Sequence, residues 1–524
     1  MTNVREKRNA RPFSRRRLLK AVGGGAVAVG AQGAIGVATA GADGRPAAST
    51  PPGRFGRIFP DLPPFYDEDD DDRDQLTEAL LELGKPDGIL DAKDQLDKGP
   101  VALIVDPTLG VDNRDNPDHT AGTTFMGQFM DHDMTFDASS PLGTPARHGT
   151  SENVRTPSLD LDSVYGGGPG VSPQLYESSD SAKLKVESNG RFEDLPRTSD
   201  GKAIVGDPRN DEHLVLAGLH AAFLLFHNKA VEHVRAGGAS GDDAFEKARR
   251  LTRWHYQWMV LHEFLPLFVG DAIVDDVLTR GRRFYTVKRN AFIPVEFQTA
   301  AYRMGHSMVR PSYRLNFSGQ DGGQLFAMIF ATNGMDLRGG RRLGPNGERL
   351  HVGWSTFFDF GDGLVRRNKR IDEKLSTALF TLPRSAIAGP GGPESLAQRN
   401  LLRHVTFGLP SGQRIAKRMR APVLSRRDLK SLSEIDEEFD VDFRRDTPLW
   451  PYVLFEAGIM EDGLRLGPVG GRIVAEVIIG LLQADRRSYL SAQPNWTPTL
   501  PSDTGDDFRM TDFLAFAGVA GRER

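Results

Sequence analysis

Apolar residues recur every three or four positions over long stretches of this chain, which is the spacing of one face of an α-helix. The pattern predicts helices at 213–235, 243–268 and 468–485. Alternation of apolar and polar residues, typical of half-buried strands, is short and sparse. From residue 76 to residue 524 the composition is even, with no internal repeat and no long linker. We therefore expect a mainly α protein with a single large helical domain at 76–524 and irregular loops.

Residues 1–40 predict a twin-arginine (Tat) signal peptide. Arg15 and Arg16 precede a weakly apolar, glycine- and alanine-rich run that ends at the small-residue site Ala38-Thr39-Ala40. The low hydrophobicity of this run disfavours a membrane anchor, and we expect no later stretch to be apolar for long enough to form a stable membrane span. The signal predicts contact with the Tat translocon and a location that is secreted or on the exterior of the cell envelope. Residues 41–75, rich in Pro, Gly and Ala and acidic at 67–72, predict a flexible solvated linker.

Composition and charge exclude several kinds of site. The 524 residues contain no cysteine, which excludes disulfides, thiolate nucleophiles, iron–sulfur clusters and cysteine-attached haem. Residues 1–40 hold eight basic residues and one acidic residue, so the rest of the chain has 58 basic and 69 acidic residues and a formal charge of −11. That balance provides no electrostatic footprint for nucleic acid.

One polar helical segment carries the candidate chemistry. In residues 127–137, GQFMDHDMTFD, Gln128 and His132 lie four residues apart and share a helical face, whereas Asp131 and Asp133 point elsewhere. By themselves these residues indicate no more than a hydrogen-bonded histidine on an acidic helix. The segment, however, resembles the distal helix of the animal-type haem peroxidases, in the peroxidase–cyclooxygenase superfamily.

The resemblance recurs, in family order, along most of the chain. The similar segments are 206–212 (GDPRNDE), 227–228 (HN), 301–307 (AYRMGHS), 400–410 (NLLRHVTFGLP) and 447–482. The last of these is similar to bacterial members, so we expect a secreted bacterial member of the family. The resemblance implies a peroxidase–cyclooxygenase-like haem peroxidase fold, a bound haem b, and an oxidoreductase that acts on hydrogen peroxide.

The resemblance also implies roles for the polar residues of the distal side. His132 would take a proton from hydrogen peroxide and return it to the departing oxygen. Arg209 would stabilise the charge that develops as the O–O bond breaks, and Gln128 would hold water or a halide. Asp131 and Glu212 match two carboxylates that become esterified to haem methyl groups in mammalian members.

One departure from the family limits the covalent links to haem. His213 stands where a mammalian member has a methionine that bonds to a haem vinyl group. That sulfonium link cannot form here, so the haem would carry two ester links at most.

On the proximal side the resemblance implies that His306 is the iron ligand. Asn400 would accept the N–H of its other ring nitrogen. Arg303 and Arg403 would pair with the haem propionates, although an ordinary salt bridge is the alternative for both.

A calcium site is implied by Asp133 together with the loop TPSLDLD at 156–162. Ca²⁺ takes six to eight oxygen ligands, which side chains and carbonyls of an extended loop can supply. The expected ligands are side-chain oxygens of Asp133, Thr156, Asp160 and Asp162 and the backbone carbonyls of Thr156 and Ser158. Other helical histidines, at 220, 227, 255 and 262, are expected to lie in the core rather than bind metal.

Three functions remain to be weighed. The leading one is a haem peroxidase that oxidises halide or small phenolic donors. A fatty-acid dioxygenase of the superfamily is the first alternative, but such enzymes place a tyrosine three residues before the proximal histidine, where this chain has Arg303, and Tyr302 is one residue away. The second alternative is a non-catalytic matrix or adhesion protein, which would not require His132, Arg209 and His306 together.

Overall fold

The structure is a computed structural model that describes residues 53–66, 70–137, 139–146, 150–188, 193–287, 290–316, 325–331, 336–338, 351–387 and 391–520. The predicted signal peptide at 1–40 lies outside these residues, as does the start of the predicted linker. About 48% of the chain is helical and 9% is strand. The prediction of a mainly α protein is therefore confirmed.

The α-helices of the described residues follow the apolar periodicity. They are α1 (Asp70–Leu83), α2 (Gly99–Val105), α3 (Ala121–Met134), α4 (Asp162–Tyr165), α5 (Leu214–Ala236), α6 (Gly241–Met259), α7 (Leu265–Val269), α8 (Asp271–Arg280), α9 (Val295–Thr299), α10 (Leu396–Phe407), α11 (Gly412–Met419), α12 (Ser433–Phe439), α13 (Leu449–Glu461), α14 (Pro468–Ala484), α15 (Tyr489–Ala492) and α16 (Met510–Ala517). A π-helical turn, Val260–Phe264, joins α6 to α7. The helices predicted at 213–235, 243–268 and 468–485 are thus confirmed within a few residues.

Strands are short and pair only in antiparallel twos within the described chain. The strands are β1 (Gly53–Arg54), β2 (Asp115–Thr120), β3 (Glu152–Asn153), β4 (Glu187–Ser188), β5 (Glu193–Asp194), β6 (Ser312–Asn316), β7 (Leu325–Met328) and β8 (Arg367–Lys369). The pairs are β1 with β3, β2 with β8, β4 with β5 and β6 with β7. The pairs β1–β3 and β2–β8 join segments that are distant in sequence, as where Gly53 lies opposite Asn153 and Asp115 opposite Lys369.

Helix α5 is the central core helix. It is 23 residues long with a mean hydropathy of 1.4 in its most apolar window, so by length and composition it could span a membrane, contrary to our expectation from the sequence. However, 78% of that window is buried inside the protein, against α3, α6 and α16. Apolar residues all round a helix are equally typical of a buried helix in a large core.

The prediction of a flexible linker at 41–75 is wrong for residues 53–66. The aromatic side chains of Phe55, Phe59 and Phe65 are buried in the core. The backbone amides of Ile58 and Phe59 donate to the buried carboxylate of Glu296 at 3.0–3.1 Å. Aromatic residues spaced through a Pro/Gly-rich segment thus anchor it, with the two-residue strand β1 as its only regular secondary structure among the described residues.

Candidate active site

One wall of the site, the distal wall, consists of α3 and residues 206–213. Helix α3 places Gln128 and His132 one turn apart, as predicted from their spacing. The helix ends at Met134 because Thr135 is extended, and the Thr135 amide donates to the carbonyl of Asp131 at 2.8 Å. Because most of α3 is buried, its side chains have little freedom to move.

Arg209 is held in place by Asp207. The carboxylate accepts from the backbone amide of Arg209 at 2.9 Å, from Nε at 3.1 Å and from Nη2 at 2.8 Å. The same Nη2 donates to the carbonyl of Thr135 at 2.6 Å, and the guanidinium lies 4.3 Å above the ring of Phe136. Burial raises the pKa of Asp207, but the charge and hydrogen bonds of Arg209 outweigh it and bring that pKa to about 2. Arg209 therefore stays charged and fixed.

His132 is neutral and has a partner on one ring nitrogen. Its Nδ1 lies 2.9 Å from Oδ1 of Asn210, whose Nδ2 lies 2.9 Å from Nδ1 of His220. Burial, followed by the nearby charge of Arg209, lowers the pKa of His132 to about 3. An uncharged imidazole is the form that can accept a proton.

Gln128 is oriented from both ends. His213 caps α5, and its Nδ1 accepts from the backbone amide of Leu216 at 3.2 Å. Its other nitrogen, Nε2, therefore carries the proton and donates to Oε1 of Gln128 at 2.9 Å. The Nε2 of Gln128 in turn donates to Glu212 at 3.3 Å.

Asp131 and Glu212 are carboxylates in an enclosed setting. Burial raises the pKa of Asp131 against the opposing charges of Arg209 and Arg303, and it raises the pKa of Glu212 to about 7. Both side chains nevertheless keep exposed surface. Both carboxyl groups are thus desolvated by the surrounding protein and yet still accessible, so their neutral forms are favoured.

The opposite wall, the proximal wall, consists of residues 301–306 and α10. Residues Ala301–His306 form a 3₁₀ helix that ends at His306. Nδ2 of Asn400 lies 2.7 Å from Nδ1 of His306, and Oδ1 of Asn400 accepts from Nη1 of Arg303 at 3.1 Å. The prediction that Asn400 accepts from His306 is therefore wrong for this arrangement. The reason is that a guanidinium can only donate, so it takes the carbonyl end of the amide.

Positive charge accumulates on the proximal wall. Burial, followed by the charge of Arg403, lowers the pKa of Arg303 to about 9. Arg403 itself pairs with Asp137 at 3.1 Å. The pKa of His306 is lowered to about 3 by burial and by both arginines. Of the two, only Arg403 has a direct carboxylate partner among the described residues, so an anionic ligand would relieve the repulsion between the two arginines.

Tyr302 connects the two walls. Its hydroxyl donates to the carbonyl of Gly127 on α3 at 3.2 Å, and its ring stacks on Phe297 with 4.8 Å between centroids. Burial raises the pKa of its hydroxyl well above the ordinary value. Tyr302 is therefore a neutral tether between the segment of His306 and the segment of Gln128.

Three aspartates form an acidic cluster on the far side of α3. Oxygens of Asp133, Asp160 and Asp162 lie within 4.8 Å of one another. Asp133 accepts from the backbone of Leu161 at 3.1 Å and from the hydroxyl of Ser163 at 3.3 Å. Burial and mutual repulsion raise the pKa of Asp133 well above its ordinary value and that of Asp160 to about 7. Such a cluster favours a cation or a bound proton.

The other two expected calcium ligands lie differently. The Thr156 amide donates to Asp162 at 3.1 Å, while its carbonyl accepts from the amide of Ser158 at 2.7 Å in a turn. The hydroxyl of Ser158 is directed to Asp485, at 3.5 Å. The structure thus brings the three aspartates together and leaves the hydroxyl of Ser158 outside the cluster.

Arg155, which sequence reasoning missed, links the acidic cluster to the distal wall. Its Nη1 lies 3.3 Å from Asp162 and its Nε 3.5 Å from Asp207. Gly206 reinforces the link, because a Cβ there would stand 2.5 Å from the carbonyl of Ser163. The loop of the cluster therefore packs directly on the segment that holds Arg209. Asp207 was also missed, although it lies in the GDPRNDE motif.

The remaining helical histidines form hydrogen bonds within the protein. His227 bonds to the hydroxyl of Tyr165 at 3.0 Å and to the carbonyl of Ala182 at 2.9 Å. His262 lies 3.0 Å from the hydroxyl of Tyr489. Within the described chain, no histidine joins a group of side chains suited to a metal. His220 differs, since it stands behind Asn210 in the site.

Comparison with known proteins finds similarity to haem peroxidases. A family model described as "Animal haem peroxidase" matches residues 140–333, which include Arg209, Glu212 and His306 but not His132 or Asn400. Mouse thyroid peroxidase is 25% identical over 372 residues, covering 64% of this chain and 38% of that protein. The chain spans less than half the length of the curated relatives that it matches.

Solved structures show the fold. Peroxidase A from Dictyostelium discoideum has a TM-score of 0.54 at 18% identity, over 83% of this chain and 92% of that one. A fatty acid alpha-dioxygenase from Arabidopsis thaliana has a TM-score of 0.52 at 15% identity, over 78% of this chain and 74% of that one. The predicted peroxidase–cyclooxygenase-like fold is confirmed.

Proposed function

We propose that this protein is a haem peroxidase, which reduces hydrogen peroxide and oxidises halide or small phenolic donors. The observation that carries the proposal is the pairing of a neutral His132 with a clamped Arg209 on one wall and a neutral His306 on the other. The match to the animal haem peroxidase family supports haem binding and oxidoreductase chemistry.

The residues present fit a haem. In the described chain His306 has a hydrogen bond at Nδ1 alone, so Nε2 is the atom available to iron. Arg303 and Arg403 repel each other, as expected of a pair that binds two propionates. If Arg303 turns to a propionate, Oδ1 of Asn400 is released, and half a turn of the amide lets it accept a proton from Nδ1 of His306.

Bound haem would supply the redox chemistry, accepting electrons from the donor for reduction of peroxide. His132 takes a proton from one peroxide oxygen at Nε2 and delivers it to the other oxygen as the O–O bond breaks, so that oxygen leaves as water. Arg209, whose position Asp207 sets, donates hydrogen bonds to the charge that develops on the leaving oxygen. With a halide, the balance is one halide, one peroxide and one proton converted to one hypohalous acid and one water.

Gln128, Asp131 and Glu212 complete the distal side of the proposal. Gln128 is proposed to hold water or a halide near His132. Asp131 and Glu212 are proposed to form esters with haem methyl groups during turnover. Acidified butanone should then fail to extract haem from peroxide-treated protein, and full extraction from that protein would rule the esters out.

The acidic cluster is proposed to hold calcium, with Asp133, Asp160 and Asp162 as its charged ligands and oxygens of Thr156 and Ser158 completing the set. Its role would be structural, since Asp133 adjoins His132 and Asp162 contacts Arg155. A chelator should lower the melting temperature, and added Ca²⁺ should restore it. Asp160→Asn should abolish that response.

Export by the Tat pathway remains a proposal based on residues 1–40. Replacing Arg15 and Arg16 with lysine should retain the protein inside the cell, and export of that variant at the normal level would contradict it.

The test of the proposed function is turnover by the haem-loaded protein. We expect a Soret band after reconstitution and peroxide-dependent oxidation of bromide, iodide, thiocyanate or a phenol. The similarity of fold to fatty acid alpha-dioxygenases makes lipid oxygenation the second candidate. Oxygen consumption with a fatty acid, and none of the peroxide-dependent oxidations, would favour that candidate, and absence of a Soret band would exclude both.

A further inference from the structure

Two buried polar side chains stand behind the distal base. Asn210 is fully buried and His220 is 1% exposed. Oδ1 of Asn210 lies 2.9 Å from Nδ1 of His132, and Nδ2 of Asn210 lies 2.9 Å from Nδ1 of His220. The three side chains form a chain of hydrogen bonds that begins at the base and runs into the core.

The donors and acceptors in this series of hydrogen bonds follow from the side-chain amide of Asn210. A carbonyl oxygen only accepts and an amide nitrogen only donates, so His132 carries a proton on Nδ1 and His220 carries none on Nδ1. Burial lowers the pKa of His220 to about 4, so this ring is neutral and able to accept. With its proton on Nδ1, His132 keeps a free lone pair on Nε2, which is the atom that would receive the peroxide proton.

We infer that Asn210 is a positioning residue that holds the distal base His132 in its Nδ1–H tautomer, and that His220 holds the amide of Asn210 in the matching orientation. The inference rests on the proposed peroxidase function. Without the acceptor, the ring can carry its proton on Nε2 instead, where it blocks proton transfer. A buried Nδ1–H without a partner would also be destabilising.

The test uses haem-loaded protein with two substitutions at one position. Asn210→Asp keeps an oxygen acceptor for His132, whereas Asn210→Leu removes it at similar size. The matched control is Asn116→Leu, because Asn116 is equally buried and bonds to the carbonyls of Gly463 and Leu464 away from the site. The readouts are the rate constant with hydrogen peroxide by stopped-flow absorbance, the KM for the donor and the melting temperature.

We expect Asn210→Leu to lower the rate constant about 100-fold at unchanged donor KM, and Asn210→Asp to recover it to within about tenfold of wild type. The control should lower the melting temperature and leave the rate constant unchanged. If the rate constant falls equally in both Asn210 variants and in proportion to the loss of melting temperature, Asn210 has only a packing role and the inference is overturned. A rate constant for Asn210→Leu that equals the wild-type value would also overturn it.

His132→Leu separates this inference from the function on which it rests. A slow His132→Leu variant beside a fast Asn210→Leu variant overturns the tautomer role alone. Wild-type protein and His132→Leu that react equally with peroxide overturn the proposed function as well.

Discussion

The two walls of the site are organised in different ways. On the distal wall each functional side chain has its own partner in one short segment: Asp207 for Arg209, Asn210 for His132 and His213 for Gln128. On the proximal wall one amide, Asn400, serves both His306 and Arg303. The distal wall is therefore pre-organised by the protein itself. The proximal wall keeps a hydrogen-bond arrangement that an anionic ligand can change.

This difference predicts different consequences of substitution. Changes on the distal wall should lower the rate with peroxide while haem stays bound. Changes on the proximal wall should weaken haem binding first and alter the rate per bound haem less.

The largest effect is expected for His132→Leu. Loss of the proton acceptor should lower the rate constant with peroxide about 1,000-fold, while haem content stays near that of wild type. Stopped-flow absorbance gives the rate and the Soret band gives the haem content. A variant that loses haem in parallel with its rate would show that the distal wall also holds the cofactor, which would contradict the proposed difference between the two walls.

Arg209→Lys should have the next largest effect. A lysine cannot bond to Asp207 and also direct a second donor toward the peroxide, so we expect a loss of about 100-fold in the same rate constant. Arg235→Lys is the matched control, because Arg235 makes a similar two-point pair with Asp180 outside the site. Similar losses in the two variants would mean that the effect reflects stability rather than position.

The sequence predicted the helices that carry the site better than it predicted the contacts between the side chains of the site. The sequence correctly placed Gln128 and His132 on one face because residues four positions apart share a face of any α-helix. Asn210 and Asp207 were missed as partners, although they flank Arg209, because only the folded chain shows which way they point.

Two other errors have clear physical causes. The predicted direction of the hydrogen bond between Asn400 and His306 was wrong because it depends on a contact with Arg303, 97 residues away from Asn400 in the chain. The linker at 41–75 was predicted from its composition, yet a few well-spaced aromatic residues, such as Phe55 and Phe59, are enough to anchor residues 53–66 to the core.

Arg303→Gln sharpens the proximal half of the comparison. Removing one guanidinium that would pair with a propionate should weaken haem binding about tenfold, with less than about threefold change in the peroxide rate per bound haem. Haem titration followed at the Soret band measures the affinity, and Arg403→Gln should behave alike. Unchanged affinity in both variants would exclude the propionate role.

The smallest effect is expected for His213→Leu. Without the donor to Oε1, the amide of Gln128 is free to rotate, so we expect a change of about two- to fivefold in the KM for halide and little change for phenols. Steady-state assays with bromide and a phenol make the comparison. An equal change for both donors would show that His213 does not act through Gln128.

The most direct test of the central claim replaces the proximal ligand with glycine and supplies imidazole from solution. If His306 binds the iron, His306→Gly should lose the wild-type Soret band and peroxide reactivity, and added imidazole should restore both. A His306→Gly protein that binds haem and reacts with peroxide like wild type, without imidazole, would contradict the account.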